Sequence, residues 1–321
     1  MDQFQQEIDE RTNLTSSNKF ELLLFRLGAS GRADDVGELY GINVFKIREI
    51  VPMTTITTAA GTKAPMLGMI NIRGQVIPVI DLPAVAGCTP ATGLNILLIT
   101  EFARTTQAFA VESVEEIVRL DWKQVLSAES RAGGDIVTSI ARLDSNEDGG
   151  RLVQVLDVEQ ILHMAAPIKK MLDQDHADTL KDMIPPGAIV LAADDSKLAR
   201  ALIEGGLNTL GIPYIMTKSG KEAWDKFREL SAEAKRDGIA LKQKVALVLT
   251  DLEMPEMDGF TLTRNIKSDP NSKHIPVVIH SSLSGSANED HVRSVGADGY
   301  VAKFNIEELA ASLKSALLSA A

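Results

Sequence analysis

Residues 188–208 read AIVLAADDSKLARALIEGGLN, and this stretch decides the fold of the C-terminal half. Ala188–Ala193 is an unbroken apolar run with no polar residue alternating through it, the pattern of a strand buried on both faces. Asp194 and Asp195 end the run. Ser196 then opens a helical stretch, Lys197–Asn208, whose apolar positions recur at steps of three and four. The same unit repeats downstream. Strands are expected at Ile212–Thr217, Val245–Thr250, Ile275–His280 and Gly299–Lys303, with helices at Gly220–Lys235, Gly259–Lys267, Asn288–Val295 and Ile306–Leu318. Five strands alternating with five helices predict right-handed βαβ units and a parallel sheet with helices on both faces. Such sheets bind ligands beyond the carboxyl ends of their strands.

Those carboxyl ends carry the chemistry. The first strand finishes in Asp194-Asp195, the third in Asp251, the fourth in Ser281-Ser282 and the fifth in Lys303. Taken alone, Asp194-Asp195-Ser196 is also a helix-cap pattern, and Lys303 alone is also a solvated lysine. Together the fold would gather three carboxylates with an ammonium and a hydroxyl. Crowded carboxylates repel, and a hard divalent cation such as Mg²⁺ relieves them through oxygen ligands. One carboxylate can then attack a phosphoryl group whose charge the metal and lysine neutralise.

Towards the N-terminus, Pro185-Pro186-Gly187 stops whatever precedes it. Residues 166–187 form a charged joint, although Ile168, Met171 and Leu172, then Leu180, Met183 and Ile184, keep helix-like steps. Residues 18–165 change period. Short apolar runs at Glu21–Leu27, Leu67–Ile72, Gln75–Ile80, Asn95–Thr100, Gln107–Val111, Ile136–Ile140 and Leu152–Leu156, broken by Gly, Pro, Asn and Asp, predict many short strands. Arg73-Gly74 reads as a hairpin tip, and one short helix is expected at Val158–Met164. The half also echoes itself. Tyr40-Gly41-Ile42 and Phe109-Ala110-Val111 each precede a V/I-x-x-I step (Ile47/Ile50, Val114/Ile117), and Val79-Ile80-Asp81-Leu82 resembles Val155-Leu156-Asp157-Val158. Two similar β subdomains would produce this, as would chance likeness between short strands.

The 321 residues carry a formal net charge of −11, with both halves acidic, which argues against a nucleic-acid binder. The single cysteine, Cys88, excludes a disulfide framework and reads as an apolar filler. His163 and His176 are isolated. Residues 1–17 are polar and acidic, unlike a secretory signal, and no apolar run reaches membrane-spanning length. The expectation is a cytoplasmic chain with no direct membrane insertion.

The segments IVLAADDSKLARALI (189–203), VLTDLEMPEMDGF (248–260), VVIHSSLSG (277–285) and GADGYVAKF (296–304) resemble a response-regulator receiver domain, covering residues 188–321. The resemblance implies a flavodoxin-like (βα)5 fold with Asp251 as phosphoacceptor. It implies Mg²⁺ held by Asp194, Asp195, Asp251 and the Glu253 backbone carbonyl, with Ser281, Tyr300 and Lys303 as switch and phosphate-contacting residues. Two departures stand out. Receivers usually place a cis proline after the lysine, where this chain has Phe304; a cis bond before a non-proline residue costs roughly 2.5–4 kcal/mol, so that loop is strained or trans. The span from Asp195 to Asp251 is also longer than usual, with the surplus at Ser231–Lys244.

The segments FELLLFRLG (20–28), LYGINVFKIREIV (39–51), MLGMINIRGQVIPVIDL (66–82) and RLVQVLDVEQIL (151–162) resemble the CheW-type coupling domain of bacterial chemotaxis. This implies an all-β domain of two SH3-like five-stranded barrels that bridges chemoreceptors to the histidine kinase CheA, with Arg73 on the partner-binding side. A CheW-type domain followed by a receiver is the arrangement of the CheV coupling proteins. The resemblance therefore implies a non-enzymatic adaptor, recruited to membrane receptor arrays through its partners, whose receiver promotes its own phosphorylation and dephosphorylation at Asp251. A phosphate sink, or a response regulator with another effector role, would share these motifs.

Overall fold

The computed structural model describes residues 19–29, 37–102, 105–127, 136–143, 150–165, 180–254, 256–281, 292, 295–303 and 306–319. They fall into two compact units, one on each side of residues 166–179.

The first unit is built from short strands. β1 (Phe20–Arg26), β2 (Leu39–Asn43), β3 (Ile47–Pro52), β4 (Met66–Ile72) and β5 (Gln75–Asp81) lead into a short helix, α1 (Leu82–Ala86). β6 (Ile96–Phe102), β7 (Thr105–Val111), β8 (Ser113–Leu120), β9 (Val125–Ser127), β10 (Val137–Arg142) and β11 (Leu152–Leu156) follow, and α2 (Val158–Ala165) closes the unit. They form a six-stranded sheet, β8-β1-β2-β11-β10-β9, and a five-stranded sheet, β3-β6-β7-β5-β4.

The internal echo is structural. Antiparallel β1–β2 corresponds to β6–β7, parallel β2–β11 to β7–β5, and antiparallel β11–β10 to β5–β4. Each sheet takes its next strand from the other half of the sequence: β8 pairs with β1, and β3 with β6. The repeated V/I-x-x-I step is a bulge in both places. Ile47 and Ile50 lie opposite Thr100 and Leu98, while Val114 and Ile117 lie opposite Phe25 and Leu23. One extra residue in each strand thus lets positions three apart share a face. The repeated aspartates are helix caps: Asp81 Oδ1 accepts the Ala84 N–H and Asp157 Oδ1 the Gln160 N–H, each at 3.0 Å. A shared core lies between the sheets, where Phe25, Tyr40 and Leu23 meet Leu98, Phe109 and Ile80. Cys88 is buried there, 3.3 Å from the Tyr40 hydroxyl.

At the β4–β5 hairpin Arg73 and Gly74 take φ of 52° and 85°, the positive pair of a type I′ turn. Gly74 adopts this freely, whereas an arginine there carries about 1 kcal/mol of strain. The Asn71 side chain supports the turn by accepting the Gly74 N–H at 2.9 Å.

The second unit alternates as expected: β12 (Ile189–Ala193), α3 (Lys197–Thr209), β13 (Tyr214–Thr217), α4 (Gly220–Asp237), β14 (Val245–Thr250), α5 (Gly259–Ser268), β15 (Val277–Ser281), β16 (Gly299–Ala302) and α6 (Ile306–Ser319). All strand pairs are parallel and the order is β13-β12-β14-β15-β16. α3 and α6 bury Ile203, Leu207, Leu309 and Leu313 on one face; α4 and α5 bury Phe227, Leu230, Leu262 and Ile266 on the other. The surplus Ser231–Lys244 forms the last turns of α4 and a short 3-10 turn, Leu241–Gln243, with Lys244 paired to Glu233 and Asp237. The expected helix at Asn288–Val295 lies almost wholly outside the described residues, as do Pro255 and Phe304 with the peptide before it.

Of the joint, Leu180 and Ile184 are buried in the α3/α6 core, with Met183 packed against it. Leu180→Ala should therefore cost about 2–4 kcal/mol in this unit alone. Urea unfolding of the full chain should show the transition of the second unit moving to lower denaturant while that of the β unit stays in place.

Candidate functional site

β12 and β14 are neighbours, and the connections from them leave in opposite directions, so the crevice at their carboxyl ends is the switch point of the sheet. Asp194 and Asp195 follow β12, and Asp251 follows β14. One carboxylate oxygen from each lies within 4.8 Å of the others. Asp194 and Asp251 are buried, whereas Asp195 is half-buried.

Each buried acid is held at both oxygens. Asp194 Oδ1 accepts the Ser196 N–H at 2.9 Å and its Oδ2 lies 2.8 Å from Lys303 Nζ. Asp251 Oδ1 accepts the Leu252 N–H at 2.7 Å and its Oδ2 lies 2.9 Å from the same ammonium. The Lys303 side chain is only 1% exposed. The buried ammonium is shared by two buried carboxylates, so removing it would strand two negative charges, whereas removing one carboxylate leaves it the other.

The backbone fixes these positions. The Asp251 N–H donates to the Ala193 carbonyl, and the Asp194 N–H to Thr217. The loop carrying Asp251 folds back so that the Gly259 N–H reaches the Leu252 carbonyl at 2.9 Å. A Cβ at Gly259 would stand 2.2 Å from the Asp251 carbonyl oxygen, so only glycine lets α5 start there. Asp258 caps that helix through the Thr261 N–H, and burial pushes its carboxyl above the ordinary aspartate range against the pull of those N–H groups.

The other expected residues are placed as follows. Ser281 ends β15, buried, and its carbonyl accepts the Lys303 N–H at 2.9 Å. Tyr300 is half-buried on the face that carries Leu252, Phe260 and Ile279. Glu253 lies in the loop two residues after Asp251. Arg73 belongs to the first unit, where its exposed guanidinium pairs with Glu49 at 2.9 Å.

Sequence reasoning passed over Arg200. It sits in the first turn of α3 and is 8% exposed, and its Nη1 donates to the carbonyls of Asp194 (3.0 Å) and Asp195 (2.8 Å). The signal was available: side chains in a helix lean towards its N-terminus, so an arginine four residues after the Ser196 cap must reach the loop before it.

The donor set is all oxygen, with three carboxylates against the one ammonium that touches two of them. Such a cluster lacks positive charge and suits a hard divalent cation, so the residues present fit Mg²⁺.

Comparison with known proteins agrees with both units. Residues 21–166 match the CheW-like domain and residues 190–314 the response regulator receiver domain. The chain is 31% identical over 327 residues to the chemotaxis protein CheV2 of Helicobacter pylori, covering 97% of this chain and 99% of that protein. It is 31% identical to CheV1 of the same organism, covering 97% of each, and 29% identical to CheV3, covering 96% and 98%. Among the described residues no helix is long and apolar enough to cross a membrane. With both domain types in this order and relatives matched along nearly their full length, the chain belongs to the CheV family of chemotaxis proteins.

Proposed function

We propose that this chain couples chemoreceptors to the histidine kinase CheA through its CheW-like domain, residues 18–165, and is regulated by phosphoryl transfer to Asp251 in the receiver, residues 188–321. The observation that carries the reading is the Asp251 carboxylate. It is held by the Leu252 N–H on one oxygen and by Lys303 on the other, inside a cluster of two further acids at the switch point of the sheet. An oriented carboxylate beside an ammonium is suited to nucleophilic attack on phosphorus.

In the proposed step an Asp251 oxygen forms the new bond to phosphorus, in line with the departing imidazole nitrogen of a phosphohistidine. The P–N bond breaks and its electron pair leaves with the imidazole. Asp195 and Asp251, with Asp194 and the Glu253 carbonyl, would hold Mg²⁺, which when bound offsets charge on the phosphoryl oxygens. Lys303 contributes a fixed positive charge. The new phosphoryl group adds about −1.5 to −2 charge at the end of β14, towards which Ser281 and Lys303 would be drawn. Tyr300, on the strand leading to Lys303, would report that shift.

Phosphoryl transfer from labelled kinase to the wild-type chain and to Asp251→Asn, read together with kinase activity in receptor arrays, tests the reading. An Asp251→Asn chain that couples receptors as well as wild type, while kinase-bound phosphoryl groups are lost more slowly, would make the receiver a drain rather than a regulator.

For coupling, Arg73 stands at the hairpin tip with its side chain 79% exposed, and its pair with Glu49 is worth no more than about 1 kcal/mol. Arg73→Glu is expected to weaken pull-down of receptor or kinase fragments while leaving the melting temperature nearly unchanged. Undiminished pull-down would remove Arg73 from the docking surface.

A further inference from the structure

The two acids at the end of β12 share one backbone tether, the Arg200 side chain. Asp194 is fixed through its N–H, both carboxylate oxygens and its carbonyl. Asp195 is half-buried, and its carbonyl is held at 2.8 Å by Arg200. One guanidinium nitrogen thus spans two successive carbonyls and fixes the peptide plane between the acids. The orientation of that plane sets where the Asp195 side chain leaves the backbone. Arg200 itself is immobilised: its N–H bonds the Ser196 carbonyl within α3, and its side chain is nine-tenths buried.

We propose that Arg200 is a positioning residue for the metal site, holding the Asp194–Asp195 peptide so that the Asp195 carboxylate enters the cluster with Asp194 and Asp251. The proposal rests on the reading of that cluster as a Mg²⁺ site.

Charge and positioning make opposite predictions. Were the guanidinium merely a nearby positive charge, removing it would relieve repulsion and tighten Mg²⁺ binding. A supporting residue whose loss lets a ligand wander weakens metal binding, typically by 10–100-fold.

The test is calorimetric titration of the full chain with Mg²⁺ alone, comparing wild type with Arg200→Met, Arg200→Lys and Asp195→Ala. Thermal midpoints are recorded with and without the metal. Arg200→Met is expected to weaken binding at least 10-fold and to shrink the Mg²⁺-induced rise in midpoint. Arg200→Lys, which keeps the charge on a shorter, more flexible side chain without the planar guanidinium, should fall between it and wild type. A purely structural arginine would lower the metal-free midpoint and leave the dissociation constant, measured well below that midpoint, unmoved; unchanged or tighter binding overturns the proposal. Should Arg200→Met not fold, Arg200→Lys decides by the same criterion. A wild-type chain without saturable Mg²⁺ binding, or one indifferent to Asp195→Ala, overturns the metal reading and this proposal with it. Binding that is present in wild type and equal in the arginine variants overturns this proposal alone.

Discussion

Asp251→Asn should acquire no phosphoryl label from a phosphohistidine donor under conditions where the wild-type chain acquires one acid-stable, base-labile group. The amide keeps the shape of the side chain and can still accept the Leu252 N–H, but it is a poor nucleophile with no anionic oxygen for phosphorus. Folding should survive. Lys303 retains Asp194 at 2.8 Å, and removing one of three crowded carboxylates lessens their mutual repulsion. The expected result is therefore loss of label at undiminished metal-free stability. Label that persists at the wild-type level would place the acceptor elsewhere.

Lys303→Met should produce the largest stability change in the receiver. The lysine lies between two carboxylates that are both at most 5% exposed, and an uncompensated buried charge costs about 3–5 kcal/mol. Two further measurements separate this from simple loss of packing. Millimolar Mg²⁺ should restore part of the stability, because a cation can replace the missing charge. Adding Asp251→Asn to Lys303→Met should cost less than the two changes summed, by the 0.5–3 kcal/mol typical of contacting pairs. Strict additivity without a Mg²⁺ response would mean that the ammonium matters only as volume.

The receiver was legible in the sequence because its strands are buried on both faces and its chemistry sits at their ends. Val245–Thr250 is apolar apart from its last residue and emerges as the six-residue strand expected, and the acids that follow each strand meet because parallel strands end together. β3 and β8 were harder to see. IREIVP and SVEEIVRL mix charged with apolar residues, Ile50 and Ile117 are themselves exposed, and the bulge in each spaces the apolar residues by three, which looks helical in one dimension. Their partners also lie far away in sequence, so nothing local announces the pairing: Ile117 of β8 sits opposite Leu23. Helix α1 was missed because Leu82–Ala86 is short and contains a proline, although Asp81 signalled its start. Arg200 was overlooked because its partners are backbone carbonyls, which leave no mark on residue type.

The burial of Leu180 and Ile184 bears on how the receiver can be isolated. A fragment cut at Ala188, just before β12, would lose both side chains and expose part of the α3/α6 core they belong to. Uncovered patches of that kind drive self-association, so such a fragment would tend to precipitate for reasons unrelated to the acidic cluster. A fragment that begins upstream of Leu180 carries its own lid and should stay monodisperse.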